Sequence, residues 1–334
     1  MDVGFSDSQL ELRAAVRDVL AKECSPALVR ACLDDPDAWR PLWTRVVDLG
    51  WTGLALLDED GGLGVIELIA VLEETGATAA PVPLLSSAGL AAGALRAAGP
   101  AASQWQQELA DGAVGTLAVD RSPGVLDAAR ADLFVVIAGD ELSIVRPGTG
   151  VDLVGLNAVD PSRPMARLTV AADATTEAVL PVPMPAALAI PLTATAAELV
   201  GLATKVLDVA VTYATTREQF DRVIGSFQGV KHRLADCYVA IERARSLTYG
   251  AAMLLTDPDA DVRDAWRAAA LAKAAASDAA LETARAGVQV HGALGMTWEH
   301  DMHLYLRRAW QLAPVLDDSA TLYRAAAASL VGAH

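Results

Sequence analysis

Positive charge is scarce in this 334-residue chain: 26 Lys and Arg stand against 42 Asp and Glu, for a formal net charge of -16 and a pI near 4.6. A fixed basic face for nucleic acid or for an anionic membrane is therefore not expected. Cysteine is scarce too. Cys24, Cys32 and Cys237 are odd in number and lack Cys-x-x-Cys spacing, which fits reduced packing thiols and argues against a disulfide frame. The one long charge-free stretch, 178–197, is interrupted by four prolines and does not read as a membrane span. The opening MDVGFSDSQLELRAAV has neither a basic n-region nor an apolar h-region, so no secretory signal is expected and the cytoplasm is the expected location. No repeat with a period of about 20 to 50 residues is visible, and there is no low-complexity tail beyond an alanine bias. His300 and His303 follow Glu299, but the spacing is not His-Glu-x-x-His and no Cys or Asp set completes a shell, so no metal site is expected. His232 and His291 read as interface or loop histidines.

What is present is apolar mass. Hydrophobic residues make up 53% of the chain and mean hydropathy is +0.32, largely through alanine, enough for a sizeable core and two or three domains. Ser6 and Gln9 have capping-box spacing, with Leu12, Val16, Val19 and Leu20 recurring on one face, which predicts a helix from Asp7 to Lys22. Further helices are expected over Pro41–Leu49, Val65–Thr75 with Gly76 as a left-handed C-cap, and Ser87–Ala98 after the Pro81-Val82-Pro83 break. Leu133–Ala138 and Glu141–Val145 flank Gly139-Asp140 and predict a hairpin, and short β-rich runs follow at Val151–Val154, Ala166–Val170 and Ala178–Pro181. Beyond them Leu199, Leu202, Val206, Val209 and Tyr213 step by helical spacing, as do Val230, Leu234, Cys237, Ile241 and Ala244. A third helix from about Val262 and a fourth from about Met302 to the end complete an up-down bundle whose alanines allow close backbone approach. The expected architecture is α+β: an N-terminal helical domain (1–115), a small central β domain (116–185) and a C-terminal four-helix bundle (186–334).

Two stretches are more specific than composition. In TTREQFDRVIGSFQGVKHRLAD, Arg217 offers a planar, permanently charged fork at the end of a long helix, suited to a pyrophosphate, with Phe220 on the same side three residues on. In QVHGALGMTWEHDMHLYLRRA, Gln289 can bond both ways to an adenine or ribose edge, and Gly292 and Gly295 let backbone come near a ligand. With the domain order, these stretches resemble the acyl-CoA dehydrogenase family, over nearly the whole chain. The resemblance implies that Arg217, Phe220 and Gln228 reach across a dimer interface to FAD held by a neighbouring subunit. Gln289, Gly292 and Gly295 fall on the turn the family uses for the adenosine side of FAD. Asp221 and Ala293 stand where the family has glycines.

The family's reaction needs a carboxylate base for the α-proton of a thioester while hydride leaves the β-carbon for flavin. Matching VLDDSATLYR on Arg324 puts Asp317 at the base and Ser319 at a flavin-contacting hydroxyl; counting from Gly292 gives Leu316 unless one residue is inserted. The family's other base position falls near Pro191, and no carboxylate precedes Glu198. The central segment GTLAVDRSPGVLDAARADLFVV carries Val119-Asp120-Arg121 where the family has Thr-Glu-Pro, and lacks its Gly-Ser-Asp and Trp-Ile-Thr elements. The expectation is a degenerate subunit that cannot cradle a flavin ring alone, resembling the small subunit of heteromeric α2β2 acyl-CoA dehydrogenases such as those of actinobacterial steroid side-chain degradation. It would share FAD with a larger acyl-CoA dehydrogenase subunit that acts on an acyl-CoA substrate and passes electrons to electron-transferring flavoprotein. The alternatives are a self-sufficient homo-oligomeric enzyme with Asp317 as base, and a non-enzymatic acyl-CoA-binding or assembly subunit.

Overall fold

Ser6 opens α1 (Asp7–Glu23) with the reciprocal cap that its spacing predicts: the Gln9 amide donates to Ser6 Oγ over 3.3 Å and the Ser6 amide to Gln9 Oε1 over 3.0 Å. The structure, a computed structural model, describes residues 5–56, 64–120 and 122–331. After α1 come α2 (Pro26–Asp34), α3 (Arg40–Asp48) and α4 (Val65–Ala77). A π-helical segment, Leu85–Ala92, then leads into α5 (Gly93–Arg96), and α6 (Ser103–Ala110) ends the helical part. The expected helix near Ser87 thus starts earlier and with a wider winding. Gly76 is not a left-handed cap. It lies inside α4, where a Cβ would come within 2.1 Å of the Glu198 carbonyl oxygen, and a Cβ on Gly201 would come within 1.7 Å of that of Glu73. The two glycines let backbone meet backbone between α4 and the first bundle helix.

The central layer has two small sheets. β1 (Gly115–Val119), β3 (Leu133–Ala138), β4 (Glu141–Val145) and β7 (Thr176–Pro181) form one, in the order β1-β3-β4-β7 with β1 parallel to β3. The other, β2 (Val125–Leu126), β6 (Met165–Val170) and β5 (Val151–Gly155), is antiparallel. The expected hairpin is β3–β4, turning at Gly139 with φ +59°. Of Val119-Asp120-Arg121, the first closes β1 and Arg121 lies outside the described residues.

The bundle begins with α7 (Met184–Thr216), which carries Pro185 in its first turn and Pro191 inside it. Most of α7 is buried against α4, the π-helical segment and the bundle, so its apolar length is consumed in the core. Tertiary burial holds the helix through Pro191. A two-residue hairpin, β8 (Glu218–Gln219) with β9 (Arg222–Val223), leads to α8 (Gln228–Thr256) and α9 (Val262–His291). The expected fourth helix is broken: α10 (Met302–Leu312) and α11 (Ser319–Val331) are separated by a bend in which Leu316 (φ +57°) and Asp317 (φ +79°) are left-handed.

Where the three layers meet, charge fills the interior. Arg308 of α10, at 0% exposure, donates to Asp160, to Glu198 of α7 at 3.1 Å, to Ser162 Oγ at 3.0 Å and to the Ala79 and Ala80 carbonyls at 3.1 Å each. Arg163 donates to Asp127 at 2.8 and 3.1 Å, and Arg130 joins from 3.3 Å. Burial alone would raise Asp127, but Arg163 and Arg130 outweigh it and hold the carboxylate below its usual range. Glu198 is bound on this network and is not a free base.

Candidate functional site

The two motifs meet on the outer face of the bundle. Arg217 is the C-cap of α7, its amide bonded to the Tyr213 carbonyl at 2.9 Å. Its own carbonyl accepts from Ile224 at 2.8 Å, which closes the β8–β9 hairpin. Arg217 is exposed. Phe220 is not one helical turn further along, as its spacing suggested, because the helix has ended. Phe220 and Asp221 form the hairpin tip, both left-handed (φ +55° and +60°), and the Phe220 side chain is 86% exposed. A bulky residue in that conformation is strained, and an exposed aromatic ring gains nothing from water.

Behind the tip lies a largely apolar groove of about 360 Å³ whose walls include Phe220, Ile224, Phe227, Val230, Ala286 and Gln289. It joins the hairpin, the start of α8 and the last turns of α9. Phe220 and Phe227 pack edge to face at 6.1 Å, and the Arg222 guanidinium sits 4.0 Å over the Phe227 ring. Gln228 opens α8 between Phe227 and Gly229 and is exposed, as is Gln289. Gly229 also borders the groove, and a Cβ there would meet nothing within 4 Å. The aromatic pair Phe220–Phe227 and the aliphatic Ile224 and Val230 could have been read from FDRVIGSFQGV as a patch, but their convergence on Gln289 needs the α8–α9 packing.

Gly292 terminates α9 with φ +63° and ψ -142°, a conformation open to glycine alone among ordinary residues, and has empty space where a Cβ would lie. Gly295 is different: it is buried, and a Cβ would stand 3.1 Å from the His291 side chain and 3.2 Å from Val288 backbone. Its need is internal packing of the turn. His291, read above as a loop or interface residue, is the last residue of α9 and buried.

Asp317 and Ser319 stand apart from the groove, in the α10–α11 bend and at the first position of α11. The Asp317 side chain is exposed, while its carbonyl oxygen accepts from the Lys273 ammonium at 2.8 Å. Lys273, which no motif singled out, is fully enclosed in α9 and also donates to the Ala313 carbonyl. Burial pushes its ammonium down to about 7. The bend at the expected base position is thus pinned from below by a buried lysine.

A groove with an aromatic wall and the Gln289 amide on its border suits a planar heterocycle, exposed Arg217 at the end of α7 offers a cation for an anionic tail, and these donor types suit FAD's adenosine side. Residues 186–313 match the acyl-CoA dehydrogenase C-terminal domain and residues 6–113 the N-terminal domain. The chain is 37% identical over 321 residues to the acyl-CoA dehydrogenase IpdE2 of Mycobacterium tuberculosis, covering 94% of each. Among solved structures it is similar to a chain of a variant of the Tcur3481–Tcur3483 steroid ACAD (TM-score 0.87, 25% identity, 97% and 98% covered). It is likewise similar to a chain of the ChsE4–ChsE5 complex from Mycobacterium tuberculosis (TM-score 0.85, 25% identity, both chains covered to 100%). The protein belongs to the acyl-CoA dehydrogenase family, FAD-dependent oxidoreductases of acyl-CoA thioesters.

Proposed function

We propose that this chain is the small subunit of a heteromeric acyl-CoA dehydrogenase and lends adenosine-side contacts to FAD held mainly by a larger partner. The observation that carries the reading is the outward placement of Arg217, Phe220, Gln228 and Gln289, while the junction of this chain's own three layers is filled by buried ion pairs. A ligand in the groove would touch a neighbouring chain as well. The similarity to chains of two complexes, ChsE4–ChsE5 and the Tcur3481–Tcur3483 steroid ACAD, supports a partner and favours a bulky, steroid-derived thioester as substrate.

In this reading Arg217 neutralises the pyrophosphate, and Gln289 and Gln228 pair with adenine or ribose edges. Phe220 shields the heterocycle from water, and Gly292 lets the α9 terminus approach. Bound FAD supplies the hydride acceptor, and the partner supplies the carboxylate base. Electron-transferring flavoprotein is the oxidant of the reduced enzyme, and the complex works in the cytoplasm.

The test is the flavin absorbance and FAD stoichiometry of the chain purified alone and after co-expression with a full-length acyl-CoA dehydrogenase. A colourless chain that becomes yellow in a complex, with about half an FAD per chain, is expected. One FAD per chain when alone would overturn the reading. A second reading, a self-sufficient enzyme with Asp317 as base, draws on the left-handed bend that Lys273 pins with Asp317 exposed. Loss of turnover in Asp317→Asn of the pure complex would favour it.

A further inference from the structure

The corner between α9 and α10 gathers three imidazoles. His291 stacks on Tyr213 of α7 with ring centroids 4.3 Å apart and planes 26° apart, and lies 4.4 Å from His300. His303, the second residue of α10, meets Trp298 edge to face at 4.7 Å. Both His291 and His303 are buried. The His291 Nδ1 is 2.7 Å from the Gly287 carbonyl, but its Nε2 and both ring nitrogens of His303 are enclosed with no hydrogen-bond partner among the described residues. An enclosed neutral imidazole already forgoes hydrogen bonds, and its cation would forgo far more.

The surroundings repel added charge. His303 faces Arg30 from α2, Arg307 from its own helix and His300 from the turn, against one carboxylate, Asp301, which Arg30 engages at 2.7 Å. The titratable neighbours of His291 are the stacked Tyr213 phenol and His300. Trp298 fixes the turn from outside, with the Arg30 and Arg307 guanidinium groups 5.8 and 5.2 Å from its ring. Burial pushes both buried histidines below their usual value, and the cations add to it for His303.

We propose that this corner is an acid-released latch: taking up protons at His291 and His303 frees the 292–301 turn and, with it, the end of α9 that carries Gln289. A histidine neutral when enclosed and ordinary when released, near 6.5, keeps the latch shut above that pH and lets it go as pH falls below. From pH 7.5 to 5.5 the opening equilibrium gains up to about tenfold for each histidine that stays neutral when enclosed. The consequence for flavin rests on the proposed function; the latch itself does not.

Hydrogen–deuterium exchange of the full chain at pH 7.5 and 5.5, corrected for intrinsic exchange, reads the latch directly. The expected result is a loss of protection of tenfold or more in 289–304 at pH 5.5, with α4 unchanged, and its disappearance in a double variant carrying His291→Gln and His303→Leu. Equal protection at the two pH values, or the same acid response in the double variant, would overturn the proposal. Should that variant not fold, His303→Gln alone is expected to lose about one tenfold factor, and an unchanged response in it is equally fatal. FAD release from the heteromeric complex over the same pH range separates the two ideas. Opening of the turn without flavin release leaves the latch standing and refutes the flavin contact at Gln289. Flavin release without opening refutes the latch.

Discussion

Replacing Lys273 with methionine isolates the energetics of the bend between α10 and α11. The ammonium is fully enclosed and spans two carbonyls, those of Ala313 and Asp317. Burial pushes it from 10.5 down to about 7, against the upward pull of Asp317, Asp318 and Asp278. The unfolded chain keeps this proton up to about 10.5 and the folded chain releases it near 7, so between those values the unfolded state binds more protons and stability rises with pH. The contribution is complete above 10.5 and is lost as pH falls toward 7. Integrated from pH 7 to 8.5, the gain is about 1.5 kcal/mol. Lys273→Met keeps a similar unbranched volume and removes the titration, so wild type should gain that amount relative to the variant over this interval. Urea unfolding at the two pH values measures it. Burial raises the thiols of Cys24 and Cys32 to about 11, which works against stability as pH climbs toward 9, but both proteins carry them and the difference cancels. Parallel stability profiles for the two proteins would refute the reasoning, because they would mean that the ammonium is hydrated and the bend is not pinned.

Gly201→Ala is expected to cost about 3 kcal/mol or more in the same unfolding assay, since the new methyl meets the Glu73 carbonyl of α4 and the two backbones must separate. Arg308→Met leaves Asp160 buried without its cation and Glu198 with Arg163 alone at 3.5 Å, and is expected to lose about 3 to 5 kcal/mol, whereas a surface charge change would move stability by a few tenths. Arg217→Ala should leave the unfolding midpoint of the chain alone unchanged and lower the flavin content of the heteromeric complex; unchanged flavin affinity would remove Arg217 from the site.

Local signals were readable wherever cause and consequence lie within a few residues. Ser6 and Gln9 announced α1, and Gly139-Asp140 announced the β3–β4 hairpin, because a cap or a turn is closed by atoms three or four residues apart. The motif residues Arg217 and Gln289 were readable as chemistry, since a fork and an amide keep their donors in any fold. That Gln289 meets Phe220 and Phe227 around one groove was not, because it depends on how α8 packs on α9. Nor was the role of Gly76, whose missing side chain answers to Glu198, more than a hundred residues on. Pro191 lies inside α7, where burial of the helix outweighs one lost bond. Phe220 left the helical face because the chain turns at a hairpin with no glycine at either left-handed position. Sequence alone thus determined the helical, β, helical order, many of the elements and the chemical kinds of the candidate residues. Only the tertiary structure decided which of them face outward together and which charges the interior neutralises, because those contacts join residues that no local pattern connects.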